Sequence, residues 1–233
     1  MVYLHRIVTG SNRDRHFILN MDQTPVYFAM SAKRTLELIS QKTIHIRTTA
    51  DDTKQVTMAI MIAADGTLLP AMVVYKGKAN RKIVRTELGS YPTTNHYRCQ
   101  ENAWMDERVM LAWVDEVIVP YVAMAPDNIV PLLILDSYRC HMMGSIVQRI
   151  QELGVEVKHI PGGCTSLCQL VNVGFNKPFK NHVRRLWIEQ MTSKGIANGT
   201  MSTPTRLNVA TWVDQAMTEI SAKRRFVRNT WLK

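Results

Sequence analysis

The chain contains 233 residues, 46% of them hydrophobic and 21% charged, and its formal net charge at pH 7 is +10. That length suits one domain, or one domain with an appendage, and the apolar fraction is large enough for a sizeable core. No apolar run approaches the ~18 residues of a membrane span, and the N-terminus lacks a signal-peptide layout. The sequence therefore predicts a soluble intracellular protein with no membrane partner.

Cysteine usage argues against a disulfide-rich or zinc-dependent fold. Four cysteines are too few for a disulfide scaffold in a chain of this length. Cys164 and Cys168, together with Cys140-His141 and His159, offer ligands for zinc, but their spacing matches no common zinc pattern. We therefore favour structural thiols over a zinc site.

The first half of the chain carries mainly strand patterns. They cover residues 16–22, 42–49, 56–63 and 67–75. The tripeptide Ala64-Asp65-Gly66 between the last two patterns is a good hairpin signal. Residues 75–91 are basic and follow no regular pattern, so we expect irregular structure there.

The second half alternates between helix and strand patterns. Residues 105–123 have helical spacing, with Val109, Trp113, Val117 and Tyr121 on one stripe. The continuous apolar run 130–135 predicts a strand buried on both faces. The remaining patterns predict a helix over 144–153, a strand over 155–160, a helix over 178–191, a loop over 194–205, and helices over 209–220 and 224–233. This order predicts an α/β fold in which helices flank a mixed sheet.

Two of the predicted strands end in a carboxylate, Asp22 and Asp136. Sites in open sheets gather at strand ends near a switch in strand order, so these two side chains would meet if their strands are neighbours. Asn172 precedes the last long basic helix and can approach the same point. Oxygen ligands in this layout suit divalent metal ions held against a phosphate backbone, although such a site would favour an acid where this chain has Asn172.

Positive charge is concentrated at the C-terminal end. Residues 177–233 contain eleven Lys/Arg and three Asp/Glu, a net charge of +8, whereas residues 1–176 contain eighteen and sixteen, a net charge of +2. A second basic cluster lies at residues 76–85. Because both clusters flank the candidate ligands, we favour contact with nucleic acid over a merely solvated surface. The expected contact residues are Lys76, Lys78, Arg81, Lys82, His141, Lys177, Lys180 and Arg184.

These strings resemble the DDE-superfamily nuclease domain of pogo/Tigger-type transposases, which is RNase H-like. The matching strings are Asn-Met-Asp-Gln-Thr-Pro-Val-Tyr-Phe (20–28), Leu-Leu-Ile-Leu-Asp-Ser-Tyr-Arg-Cys-His (132–141), the segment 159–169, Val-Asn-Val-Gly-Phe-Asn-Lys-Pro-Phe-Lys (171–180), and parts of 204–231. The resemblance implies a nuclease domain over 1–195 with a helical extension of the same domain over 196–233.

The resemblance also implies a function. Asp22, Asp136 and Asn172 occupy the catalytic positions that hold Mg²⁺ or Mn²⁺, the partner is DNA, the location is nuclear, and a homo-oligomer on DNA is left open. Members of this family carry an N-terminal helix-turn-helix region, and nothing before Asp22 is long enough to form one. The sequence is thus interpreted either as a nuclease-domain fragment or as a product that has lost that region.

Two departures from the family pattern bear on activity. The family has an acid where this chain has Asn172, and typically Pro where it has Leu170. A unit charge pair at ~4 Å is worth about 4 kcal/mol at an effective dielectric near 20, so loss of the third charge should weaken metal binding. We expect an impaired endonuclease and strand-transfer domain. Two alternatives stay open: Asn172 suffices with Mn²⁺ or abundant Mg²⁺, or the chain is a catalytically dead, domesticated DNA-binding domain.

Overall fold

The structure, a computed structural model, describes residues 13–30, 53–79, 81–164, 168–194, 196–197, 200–201 and 203–232. The strand predicted over 42–49 lies outside these residues. Within the described part of the chain, no helix is both long and apolar enough to cross a membrane.

The described residues form a six-stranded sheet and a short two-stranded hairpin. The sheet strands are β1 (Ile18–Tyr27), β2 (Gln55–Ala63), β3 (Met72–Lys76), β4 (His96–Gln100), β5 (Leu132–Asp136) and β6 (Glu156–Ile160). The hairpin strands are β7 (Ile196–Ala197) and β8 (Thr200–Met201). The α-helices are α1 (Lys82–Thr86), α2 (Glu107–Trp113), α3 (Val119–Val122), α4 (Gly144–Glu152), α5 (Asn176–Lys194), α6 (Arg206–Ser221) and α7 (Arg224–Asn229).

Local chemistry explains where the main helices begin. The Asp106 side chain accepts a hydrogen bond from the Val109 amide and caps α2, and Thr205 with Asn208 forms a capping box at the start of α6. Two π turns interrupt the regular spacing. Val114–Ile118 joins α2 to α3, and Val171–Phe175 leads directly into α5.

The sheet has the order β4-β3-β2-β1-β5-β6. Among these six strands, β2 alone runs in the opposite direction, because it is antiparallel to β1 and β3 while the β3–β4, β1–β5 and β5–β6 pairs are parallel. The carboxyl ends of the other strands therefore lie at one edge of the sheet. This mixed sheet with flanking helices confirms the predicted α/β class.

Strand alternation divides the core into two layers, one on each face of the sheet. On β5, Leu132 and Ile134 pack against α5 and α6, while Leu133 and Leu135 pack against α2 and α4. The stripe predicted for residues 105–123 lies in the second layer: Val109, Trp113, Val117 and Tyr121 are all buried. The same alternation determines whether a polar side chain of a strand faces the helices on one side of the sheet or those on the other. The positions of the candidate site residues follow from it.

Several predicted boundaries were wrong. β1 continues to Tyr27 instead of ending at Asp22. Beyond the Asn20–Ile134 register pair, no strand among the described residues pairs with β1 on its β5 side, so Pro25 can sit in the strand without interrupting a ladder there. β4 was not predicted, although its inward Tyr97 and Cys99 alternate with polar residues.

Other differences concern the basic segments. The stretch 75–91, predicted to be irregular, contains α1, and the loop predicted over 194–205 contains the β7–β8 hairpin. The helical segment predicted to begin at Pro178 begins earlier, because the π turn at Val171–Phe175 runs directly into α5. Asn172 is therefore part of a helical turn.

The C-terminal segment, consisting of α7 and the residues after it, packs against this π turn and against the β2–β3 turn. A Cβ added to Gly174 would lie 2.7 Å from Thr230 Cβ, and a Cβ added to Gly66 would lie 2.4 Å from the Arg224 carbonyl oxygen. Trp231 is 6% exposed and joins the core. The division of the chain at residue 195 stays a prediction.

Candidate functional site

The two acids face the same side of two neighbouring parallel strands. The β1–β5 register pairs Ile18 with Leu132 and Asn20 with Ile134, so the next step of two residues places Asp22 beside Asp136. Ile18 and Leu132 belong to the core layer under α5, and period-two alternation puts Asp22 and Asp136 on that face. β5 ends at Asp136 while β1 continues. Asp22 and Asp136 therefore lie at the edge of the sheet where β1 extends beyond the end of β5.

The electrostatics of the two acids differ. Burial raises the pKa of Asp22, and the neighbouring negative charge of Asp136 raises it further. Burial also acts to raise the pKa of Asp136, but the hydrogen bond and charge of His141 outweigh it and leave that pKa lowered. Asp22, only 7% exposed, is thus a buried carboxyl that a cation would stabilise in its charged form.

His141 orients Asp136. Its Nδ1 lies 2.6 Å from Asp136 Oδ1, and its Nε2 lies 2.8 Å from Gln23 Nε2. Burial opposes the ring's charge, yet the hydrogen bond to Asp136 raises the pKa of His141 to about 9. The ring is 1% exposed, so the structure favours a role in orienting Asp136 over the direct phosphate contact expected of His141.

The side-chain amide of Asn176 lies between Asn172 and the acids. Asn176 is 6% exposed, and its Nδ2 donates to Asp22 Oδ2 at 3.0 Å. The same Nδ2 lies 3.5 Å from Asn172 Oδ1. Asn172 itself is exposed. The structure thus brings Asp22, Asp136 and Asn172 to one place, with Asn176 between the helix and β1.

A pair of fully buried amides, not predicted as a group, fixes this arrangement. Asn20 Nδ2 donates to the Ile134 carbonyl and to Gln169 Oε1, and Asn20 Oδ1 accepts from the Val171 amide. Gln169 Nε2 donates to the Met21 carbonyl at 2.7 Å. These bonds tie β1, β5 and the π turn together. The signal in the sequence was Asn20 at an inward-facing position of an apolar strand.

The predicted basic residues lie in two separate places. Lys177, Lys180 and Arg184 follow helical spacing along α5, and Lys177 is close in sequence to Asn172. Lys76, Lys78, Arg81 and Lys82 lie at the carboxyl end of β3 and the start of α1. That end is on the same sheet edge as Asp136, but strand spacing and rise put it roughly 20 Å from Asp22. Lys78 also pairs with Glu101 at 3.6 Å.

The donor set fits a hard divalent cation. Two carboxylates lie next to the side-chain amides of Asn176 and Asn172. Asn176 Oδ1 is buried without a hydrogen-bond partner in the described part of the chain. No other acid among the described residues takes the third position: Glu156 begins β6 and pairs with Arg13, and Glu189 pairs with Arg185.

In the part of the chain that the structure describes, no metal site is built from histidine, cysteine and acids alone. Among the described residues there is no cluster of three or more His, Cys, Asp or Glu with metal-site geometry. The four cysteines are present as thiols and not as disulfides. The preference for structural thiols over zinc stays a prediction.

Comparison with known proteins shows what this arrangement resembles. The sequence model of the DDE superfamily endonuclease family matches residues 53–231, which include Asp136 and Asn172 and begin after Asp22. The chain is 25% identical over 207 residues to "Pogo transposable element with KRAB domain" of Mus musculus and, to the same extent, of Homo sapiens. The match covers 88% of this chain and 33% of each relative, so the chain spans about a third of their length.

Solved structures show the same fold. The Mos1 mariner paired end complex with Mn has a TM-score of 0.57 at 10% identity, covering 100% of this chain and 58% of that one. The corresponding complex with Mg has a TM-score of 0.53 at 10% identity, with the same coverage. The RNase H-like fold implied by the resemblance is thereby confirmed. With its sequence family and its fold in agreement, the chain belongs to the DDE superfamily of endonucleases, as a transposase-derived domain similar to pogo transposable elements.

Proposed function

We propose that this chain is a DNA-binding endonuclease and strand-transfer domain in which Asp22 and Asp136 hold Mg²⁺ or Mn²⁺ against the phosphate backbone, and in which cleavage is impaired because position 172 is Asn. The observation that carries the proposal is the position of the two acids, each two residues beyond the last register pair of β1 and β5 and on the face covered by α5. The Mn and Mg in the two Mos1 complexes support the choice of cation.

Each residue of the site then has a definite role. Asp22 and Asp136 would hold the cation, whose chemistry there would be activation of the attacking water or 3′-hydroxyl and stabilisation of the leaving oxygen. Asp22 and Asp136 supply the two charged ligands, and His141 keeps the Asp136 carboxylate in one orientation. Lys177, Lys180 and Arg184 extend a positive surface along α5 from Asn172, where a phosphate backbone would bind.

The neutral side chain at position 172 explains the impairment. An amide oxygen coordinates a cation but lacks the charge of a carboxylate, and at an effective dielectric near 20 that charge is worth about 4 kcal/mol at ~4 Å. Desolvation offsets part of this difference. A remaining difference of about 2–3 kcal/mol would lower the affinity for one cation by roughly 30- to 150-fold.

Nicking of supercoiled plasmid tests the proposal. The chain, Asn172→Asp, and Asn172→Asp combined with Asp22→Ala are incubated with Mg²⁺ or Mn²⁺, and nicked product is quantified. We expect weak or no nicking by the unaltered chain, restored nicking by Asn172→Asp, and loss of the restored activity on Asp22→Ala. Activity of the unaltered chain that survives Asp22→Ala would overturn the assignment of the site.

A second function, DNA binding without cleavage, is supported by a different observation. Each acid already has a protein partner, Asn176 for Asp22 and His141 for Asp136, so the domain can fold without a cation. Binding of DNA to the basic face of α5 requires no cation either. A steep salt dependence of DNA affinity, with no nicking by the unaltered chain or by Asn172→Asp, would favour this binding function.

The DNA partner implies two further proposals. We expect a nuclear location, which a fluorescent fusion in cells would test. A second copy on DNA is also expected, since one solved neighbour is a Mos1 transposase paired-end complex with left transposon end. Mass photometry of the chain with and without a DNA duplex would show whether DNA brings two copies together.

A further inference from the structure

Asn176 is the residue of α5 that makes direct contact with an acid of the site. Its Nδ2 lies 3.0 Å from Asp22 Oδ2, whereas Asn172 contacts Asn176 itself, at 3.5 Å. The Asn176 side chain is 6% exposed. Asn176 is thus enclosed next to the carboxyl that the proposed function assigns to the cation.

The nitrogen and the oxygen of the Asn176 side-chain amide differ in their hydrogen bonding. Nδ2 is hydrogen-bonded to Asp22, but Oδ1 is buried and has no partner in the described part of the chain. A buried acceptor without a partner is unfavourable and calls for an explanation. A buried amide oxygen next to an acidic pair is a suitable neutral ligand for a divalent cation held by those acids.

Rotation of the amide by about 180° exchanges its two ends, and which end faces a neighbour is decided by the hydrogen-bonding partners. Beside a bare carboxylate, the NH₂ group is the favoured end. Once a divalent cation sits on Asp22, the partial positive charge of NH₂ is repelled and the oxygen is favoured. The same side chain can therefore serve the bare acid through its nitrogen and the cation through its oxygen.

We propose that Asn176 is a ligand of the cation held by Asp22, coordinating through Oδ1, so that the π turn and α5 contribute one neutral oxygen each, from positions 172 and 176, in place of one acid. This inference rests on the proposed function and adds a residue to its site. On this inference a cation can bind although position 172 is Asn, because the amide nearer to Asp22 lies four residues further along the chain, at the start of α5.

Cation binding, measured apart from activity, tests the inference. Mn²⁺ is titrated into the purified chain, and free Mn²⁺ is followed by its electron paramagnetic resonance signal. We expect Asn176→Ala to weaken Mn²⁺ binding roughly tenfold or more, and Asn176→Asp to tighten it by a similar factor. Asn181, exposed on the same helix, provides matched controls: Asn181→Ala and Asn181→Asp should leave the affinity unchanged.

A second readout separates a ligand from a side chain that only positions Asp22. In ¹⁵N-resolved NMR spectra, the side-chain NH₂ resonances of Asn176 are identified by their disappearance in Asn176→Ala. Mg²⁺ should shift them strongly, because the NH₂ group leaves Asp22 when the amide rotates. Resonances that stay in place while Mg²⁺ binds would overturn the inference, as would equal Mn²⁺ affinities of Asn176→Asp and the unaltered chain.

The Asp22→Ala variant distinguishes failure of the inference from failure of the proposed function. If Asp22→Ala abolishes Mn²⁺ binding and Asn176→Ala leaves it unchanged, the proposed site is supported and the proposed role of Asn176 is overturned. If the unaltered chain binds no Mn²⁺ at millimolar concentration, or Asp22→Ala has no effect on binding, both the proposed function and the role of Asn176 are overturned. Thermal unfolding of every variant in the presence of a chelator confirms that each one is folded.

Discussion

At the scale of single residues, the candidate site depends on amides as much as on acids. Asn20 and Gln169 are both 0% exposed, and between them they bond to two strands and the π turn. Buried polar networks stabilise a structure only when each donor and acceptor is paired. The consequence is that Asn20, which touches no candidate ligand, determines where Asn172 and Asn176 lie.

Replacing Asn20 by alanine should therefore lower stability and cation affinity together. The change leaves the Val171 amide and Gln169 Oε1 without their partner, and we expect it to cost about 2–4 kcal/mol in free energy of unfolding. Urea unfolding with a chelator present measures the first effect and Mn²⁺ titration the second. Asn181→Ala is the control. Reduced stability with undiminished Mn²⁺ affinity would show that the network does not hold the site in place.

At the scale of elements, the C-terminal helix α7 joins parts of the chain that are distant in sequence. Asp65, in the turn between β2 and β3, lies 2.9 Å from His16 Nδ1 and also accepts hydrogen bonds from Thr67 and from Arg224 of α7. Burial acts to raise the pKa of Asp65, but the bonds to His16, Thr67 and Arg224 outweigh it and lower the pKa to about 2. One carboxylate thus links the segment before β1, the β2–β3 turn and helix α7.

Asp65→Asn should destabilise the chain at neutral pH and have little effect in acid. Because the pKa of the folded state lies below the ordinary value of 3.8, the stabilisation is present above about pH 4 and is lost as pH falls through about 2. Allowing for solvent screening, we expect a difference of about 1–2 kcal/mol at pH 7. Urea unfolding from pH 7 to pH 2 measures it, and a difference that persists unchanged at pH 2 would contradict this account.

Gly174 tests the contact between the π turn and the C-terminal segment. Its missing side chain allows Thr230 to approach, since an added Cβ would lie 2.7 Å from both Thr230 Cβ and Cγ2. We expect Gly174→Ala to cost about 1–3 kcal/mol through overpacking. A double-mutant cycle with Thr230→Gly, followed by urea unfolding, should show a favourable coupling energy. Strictly additive effects would mean that the two residues do not meet.

The fold was predictable from the sequence where one local signal dominates. The apolar run of β5 and the stripe containing Trp113 predicted a buried strand and a helical segment, and both are present. β1 was predicted too short because Pro25 is disfavoured in strands with partners on both sides, and only the register shows that β1 loses one partner beyond Asn20. β4 is short, and its two inward-facing residues were too few to produce a recognisable alternating strand pattern.

At the scale of the whole molecule, the topology decides what the motifs mean. The sequence singled out Asp22, Asp136 and Asn172, but their meeting depends on β1 pairing with β5, a parallel contact between segments far apart in the chain. Asn176 could not be predicted, because its importance comes from a 3.0 Å contact between α5 and β1. The placement of charge is equally a property of the folded molecule: one basic cluster lies along α5, and the other lies at the carboxyl end of β3 and the start of α1.

The salt dependence of DNA binding tests this charge distribution. Removing one phosphate contact should reduce the slope of log affinity against log salt by about 0.9. We expect Lys177→Gln, Lys180→Gln and Arg184→Gln together to lower the slope by up to about 3 and to abolish any nicking by Asn172→Asp. Neutralising Lys76, Lys78 and Arg81 should lower the slope but leave that nicking measurable, because this cluster is distant from the acids. The affinities are measured by fluorescence anisotropy with a labelled duplex.

The control for this experiment is Arg149→Gln. Arg149 lies on α4, which packs on the opposite face of the sheet, and it pairs with Asp115 at 2.8 Å. Removing its charge changes the net charge without changing the surface beside the acids, so the slope should stay the same. An equal reduction for Arg149→Gln and for Lys177→Gln alone would mean that DNA responds only to the overall charge of +10. DNA would then have no defined path along α5.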